Sequence, residues 1–184
     1  TALTILLTGA FHEDGFADMC DAFGGGWEKE QVLRIMKDSR LGTYGTLGLG
    51  LMLSSKISLL CNLPLTNALC ALIAGHVLSR FTASSLLLNL PYVRDTEDGL
   101  AKTPPAKFNR TSLWFALAFA APALLLLPVT AWLPLLLGLV GVRSWAAWYY
   151  RKRIGGYTGD CLGGAQQLAE LWVLVAVVVF SSTP

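Results

Sequence analysis

Five runs in this chain are each close to the length a helix needs to cross a lipid bilayer. At 1.5 Å rise per residue, about 20 apolar residues span the hydrocarbon layer. The runs are Tyr44–Leu63, Leu65–Leu90, Ser112–Leu127, Thr130–Tyr150 and Leu162–Phe180. Only 14% of the 184 residues are charged, where a soluble domain carries about 25%. Mean hydropathy is +0.54. There are too few polar groups to cover a surface facing water, so the chain is read as all-α: a polytopic membrane helical bundle of about six helices. Thr1–Phe23 supplies the sixth helix, half apolar and half acidic. Trp27–Lys37 is amphipathic and is expected to lie along the membrane surface.

The basic residues orient these segments. Lys29, Arg34, Lys37 and Arg40 fall in the connection 24–43, Arg94, Lys102, Lys107 and Arg110 in 91–111, and Arg151, Lys152 and Arg153 in 151–161. The turns around Pro64 and Pro128 carry none. The alternation places the three basic connections in the cytoplasm. The domain reading is one membrane-embedded unit, 1–184, with an acidic helix 1–23 and these three cytoplasmic connections. The chain begins at Thr1, and the apolar run Leu3 to Phe11 is too short to span. One or more upstream segments are therefore expected to be lacking.

A net charge of +2 with short basic clusters argues against a nucleic-acid footprint. Cys20, Cys61, Cys70 and Cys161 show no CxxC or zinc spacing and read as small apolar residues in a reducing setting.

Asp14, Asp18 and Asp21 share one helical face, within about one-sixth of a turn. With no basic residue between them, three like charges need a cation, and hard carboxylate oxygens suit Mg²⁺. His12 and Glu13 adjoin them. Lys37-Asp38-Ser39-Arg40-Leu41-Gly42-Thr43-Tyr44-Gly45 joins cations, hydroxyls and glycines just before a membrane helix, which suits phosphate. Asp160, between glycine pairs in Gly155-Gly156-Tyr157-Thr158-Gly159-Asp160-Cys161-Leu162-Gly163-Gly164, is read as the cap of the last helix or as a further ligand. Arg80, His76 and Lys56 are ionisable groups inside apolar runs, which marks them as functional candidates. Arg80 reads equally as a ligand or as a snorkelling anchor.

The runs FHEDGFADMCD at 11–21, MKDSRLGTYG at 36–45, Ser79-Arg80 and GGYTGDCLGG at 155–164 resemble, in order and spacing, the cobalamin synthase family of adenosylcobinamide-GDP ribazoletransferases. The resemblance covers essentially the whole chain. The loop 92–102 keeps Tyr92, Arg94, Gly99 and Leu100, then departs at Ala101-Lys102-Thr103-Pro104-Pro105.

The resemblance implies a late step of cobalamin (vitamin B12) biosynthesis at the inner membrane of a bacterium or archaeon, active on the cytoplasmic face. A ribose hydroxyl of α-ribazole, or of its 5′-phosphate, attacks the phosphate nearest cobinamide in adenosylcobinamide-GDP, and GMP leaves. It implies Mg²⁺ on Asp14, Asp18 and Asp21, phosphate held by Lys37 and Arg40, and Asp21 or Asp160 as proton acceptor. The expected substrate contacts are His12, Glu13, Lys37, Asp38, Ser39, Arg40, Thr43, Arg80, Arg94, Thr158 and Asp160. The lipid bilayer is the other expected partner; a homo-oligomer is left open. Two other readings compete. A CDP-alcohol phosphotransferase also uses aspartates on facing helices, but its pattern places an Arg soon after Asp-Gly, where this chain has Asp18. A transporter would place working polar groups at mid-membrane.

Overall fold

A computed structural model describes residues 2–38, 40–93 and 108–181, with only the backbone of Leu3 and Ser181. Among them every extended element is a helix, and one isolated parallel bridge pairs Tyr92 with Tyr157. The expected helix over Thr1–Phe23 is two: α1, Ala2–Thr8, and α2, Phe11–Gly25. Gly9 and Ala10 have φ of 64° and 57°, a left-handed pair that ends the first helix and turns the chain before the second. Then come α3, Lys29–Lys37; α4, Thr43–Cys61; α5, Leu65–Ser85, prolonged by a 3₁₀ turn to Leu88; α6, Arg110–Ala120; α7, Val129–Ile154; and α8, Gly159–Ser181.

Among the described residues four helices are long and apolar enough to cross a membrane: Thr43–Cys61, Leu65–Leu88, Val129–Ile154 and Gly159–Phe180. The protein is a multi-pass membrane bundle. The run expected as a fifth span, Ser112–Leu127, is α6 followed by a 3₁₀ segment, Ala121–Leu126, with Pro122 in its first turn. The steeper 3₁₀ rise carries these residues about 28 Å, nearly the hydrocarbon thickness.

The bundle is organised around α8, which packs against α5, α2, α7 and α4 and is the most buried of the spans. One apolar core gathers Phe16, Met19, Val32, Met36, Leu86, Tyr150, Ile154 and Cys161. α3 joins it by burying Val32, Leu33 and Met36 while Lys29, Glu30, Arg34 and Lys37 stay exposed. A second core gathers Ala71, Ala74, Leu78, Leu135, Leu139, Val173, Leu174 and Val177. Between them lies a buried polar layer formed by Lys56, Ser79, Gln166, Gln167 and Glu170.

Three hydrogen bonds tie the last turns of α7 to their neighbours. Tyr150, fully buried, donates its hydroxyl to the Cys161 carbonyl at 2.9 Å. Arg153 donates to the carbonyls of Phe23, at 3.2 Å, and of Gly26, both at the end of α2. A cation there also opposes the negative end of the α2 dipole.

Candidate functional site

The acid triplet does not act as one group. Asp14 is exposed and Asp18 half-buried, but Asp21 is buried. Asp21 accepts the Gly42 N–H on Oδ2 at 2.7 Å and the Gly45 N–H on Oδ1 at 2.8 Å. Those N–H groups belong to the first turn of α4, which has no partner for them within its own helix. Asp21 is thus a capping group supplied from another helix, and it complements the positive end of the α4 dipole. The approach needs glycine: a Cβ on Gly42 or Gly45 would overlap the Asp21 carboxylate. Gly45→Ala is expected to part α2 from α4 and destabilise the protein by about 1–3 kcal/mol, measured by thermal unfolding in detergent.

α8 meets α2 two turns earlier. A Cβ on Gly15 would stand 3.1 Å from Asp160 Cα, and one on Gly163 3.2 Å from the His12 carbonyl. The two glycines bring the start of α8 against the turns of α2 that carry Asp14 and Asp18. The end of α3 reaches the same place, because Met36 Sδ lies 3.0 Å from Thr158 Oγ1. The three motifs of the sequence therefore assemble at one end of the bundle.

Thr158, expected to touch substrate, is instead buried and caps α8. Its hydroxyl accepts the Cys161 N–H at 3.3 Å. The capping role considered for Asp160 therefore falls to Thr158, and Asp160 stands half-buried in the first turn, its Oδ2 3.5 Å from the Thr158 hydroxyl.

Asp38 and Arg40, two positions apart, pair with each other. The guanidinium donates from Nε to Oδ1 at 3.0 Å and from Nη2 to Oδ2 at 2.6 Å. These bonds from Arg40 hold the Asp38 carboxyl down at about 2, so it is ionised throughout the physiological range. The Arg40 side chain is 87% exposed. Its fork can exchange a carboxylate for a phosphate without leaving the surface. Lys37 and Thr43 are exposed on either side of this pair. Ser39 and Arg94 lie outside the described residues.

His12, Glu13 and Arg80 turn towards the bundle interior. Burial, and then the nearby Arg80 guanidinium, hold His12 below its usual range, so its imidazole is neutral at pH 7. Arg80 donates to the His76 carbonyl at 3.1 Å. Glu13 Oε1 accepts from Gln167 Nε2 at 3.1 Å, while Oε2 and both His76 nitrogens have no hydrogen-bond partner among the described residues. The sequence reading missed the centre of this layer. Glu170 Oε1 pairs with Lys56 Nζ at 3.0 Å, and Lys56 also donates to Gln167 Oε1 at 2.5 Å. Gln166 Nε2 lies 3.0 Å from Glu170 Oε2 and 3.1 Å from the Ser79 hydroxyl. Two adjacent amides and, one turn on, an acid inside the last apolar run, Gln166, Gln167 and Glu170, were the available signal.

Mg²⁺ rarely sits in an all-protein cage; one or two carboxylates, waters and substrate phosphates are its usual shell. Among the described residues no three His, Cys, Asp or Glu side chains form a metal-sized group. Asp14 and Asp18, one turn apart and accessible, fit that partial set. Asp21, committed to α4, does not complete a protein-only triad.

The family model for cobalamin-5-phosphate synthase matches residues 1–178. The adenosylcobinamide-GDP ribazoletransferase of Shewanella piezotolerans is 47% identical over 180 residues, which cover 95% of this chain and 70% of that protein. The protein of the same name from Shewanella frigidimarina is 47% identical over 177 residues, 95% of this chain and 68% of its own length. No solved structure matches. The chain belongs to the cobalamin-5-phosphate synthase family.

Proposed function

We propose that the chain joins adenosylcobinamide-GDP to α-ribazole or its 5′-phosphate, giving adenosylcobalamin or its 5′-phosphate and GMP. The observation that carries this reading is the convergence of the three motifs. α2 meets the start of α4 through Asp21, and the start of α8 through Gly15 and Asp160; α3 meets α8 through Met36 and Thr158. Acids and a phosphate-gripping fork are thereby gathered at one end of the bundle, as transfer between a diphosphate and a hydroxyl requires.

Asp14 and Asp18 would hold Mg²⁺. When bound, the ion offsets charge on the donor diphosphate and on departing GMP. The remaining work falls to the chain. Arg40 exchanges Asp38 for a phosphate oxygen, and Lys37 adds a second cation beside it. The ribose oxygen bonds to the phosphorus nearest cobinamide. The bond from that phosphorus to the bridging oxygen breaks, and GMP leaves with the oxygen. Asp160 accepts the hydroxyl proton; Asp21, with an N–H on each oxygen, holds α4 rather than acting as base. The positive-inside pattern supports a cytoplasmic active face in a bacterial inner membrane.

Transport is the weaker reading. Polar groups do lie at mid-depth, but Lys56, Gln166, Gln167 and Glu170 are each at most 3% exposed. They hydrogen-bond to one another rather than line an open path.

The test is GMP release by the purified protein in lipid, with adenosylcobinamide-GDP as donor. Release that requires α-ribazole and yields a cobamide is the expected result. CDP-diacylglycerol turnover, or no GMP, would overturn the reading. Chelation should abolish turnover and added Mg²⁺ restore it, while the far-ultraviolet dichroism stays constant.

A further inference from the structure

The buried layer holds more charge than packing needs. Lys56 lies 13 residues into α4 and Glu170 11 residues into α8, roughly 20 and 16 Å from the motif-bearing end of the bundle. A buried ion pair at that depth is at best a weak source of stability. Its geometry suggests what it does instead. Lys56 donates to Gln167 Oε1, so the Gln167 amide has its carbonyl towards the ammonium and its NH₂ towards Glu13. Glu170 holds Lys56 in place from the other side at 3.0 Å. The result is a directed relay from Glu170 through Lys56 and Gln167 to Glu13 on α2.

α2 is therefore gripped twice, by Glu13 near its start and by Asp21 two turns later. A helix held at two buried acids about 12 Å apart cannot roll. Its two other acids, Asp14 and Asp18, then face outward at a fixed angle. We propose that Glu170 is a positioning residue for the transfer reaction: acting through Lys56, Gln167 and Glu13, it sets the angle at which α2 presents Asp14 and Asp18. This rests on the activity proposed above, but its first test needs no substrate.

Cys20 reports the roll of α2. Its thiol lies against Gly48 of α4, and burial, then Asp21, push it up to about 11. Cys161 on α8 is buried in the same core and reports general loosening. In a Cys61→Ser, Cys70→Ser background, maleimide labelling of each cysteine is followed by mass spectrometry. Glu170→Gln is expected to speed Cys20 labelling about tenfold while Cys161 stays silent. GMP release should fall about tenfold or more in kcat with little change in KM, since misplacement by an ångström can cost roughly 10²-fold. The double variant Lys56→Met, Glu170→Met removes both members of the buried ion pair, so neither is stranded without the other, and guards against simple misfolding; it should show the same labelling and the same kcat loss. Equal labelling of Cys20 and Cys161, unchanged labelling of both, or wild-type kcat in the folded double variant would each overturn the proposal. A wild-type protein that releases no GMP would refute the activity while leaving the labelling comparison decisive for the role of Glu170.

Discussion

Asp18→Ala should lower GMP release by on the order of 10³-fold, with the protein still folded and in the membrane, and Asp14→Ala should behave alike. Phosphoryl transfer asks a protein mainly for position and charge. Asp14 is exposed and Asp18 half-buried on α2, and neither is the buried acid that holds α4. Their loss takes away charge needed in the transition state without opening a core cavity. Thermal unfolding within about 0.5 kcal/mol of wild type, beside the collapse in turnover, is the expected pair of results. Loss of fold in step with activity would put these acids in the scaffold.

Asp21→Ala is expected to fail in the opposite way, through stability. The substitution strands the Gly42 and Gly45 N–H groups that its two oxygens now accept. A buried donor left without a partner costs about 1–3 kcal/mol, and loss of an N-cap costs about 0.5–2 kcal/mol. A loss of roughly 2–4 kcal/mol follows, read as a lower unfolding temperature in detergent. Asp21→Asn keeps an oxygen acceptor and should recover part of it. Residual activity per folded molecule should remain well above that of Asp18→Ala. Full stability in Asp21→Ala with complete loss of turnover would return Asp21 to the chemistry.

Four of the five expected spans were legible because a bilayer imposes length and hydropathy together; the fifth, Ser112–Leu127, breaks into α6 and a 3₁₀ segment at Pro122, which hydropathy does not register. The break at Gly9-Ala10 was not legible, because a left-handed pair leaves no mark on hydropathy. In the site, a helical wheel put Asp14, Asp18 and Asp21 on one face correctly. It could not say that α4 arrives against one edge of that face and takes Asp21. Thr158 and Asp160 were likewise named together, but only the packed start of α8 distinguishes the cap from the accessible acid. The Lys56–Glu170 pair joins residues 114 apart in sequence, and no local pattern links them. The inward-facing amides of α8 were visible as letters, though their partners came only with the fold.

The division of labour on α2 can be measured directly by titrating Mn²⁺ alone into the purified protein and following free ion by electron paramagnetic resonance. Asp14→Asn and Asp18→Asn should each weaken binding by about tenfold or more, while Asp21→Asn, compared at a temperature where all variants are folded, should bind like wild type. Binding abolished by Asp21→Asn but unchanged by the other two would contradict the assignment of α2 as a helix anchored by Asp21 and Glu13 and working through Asp14 and Asp18.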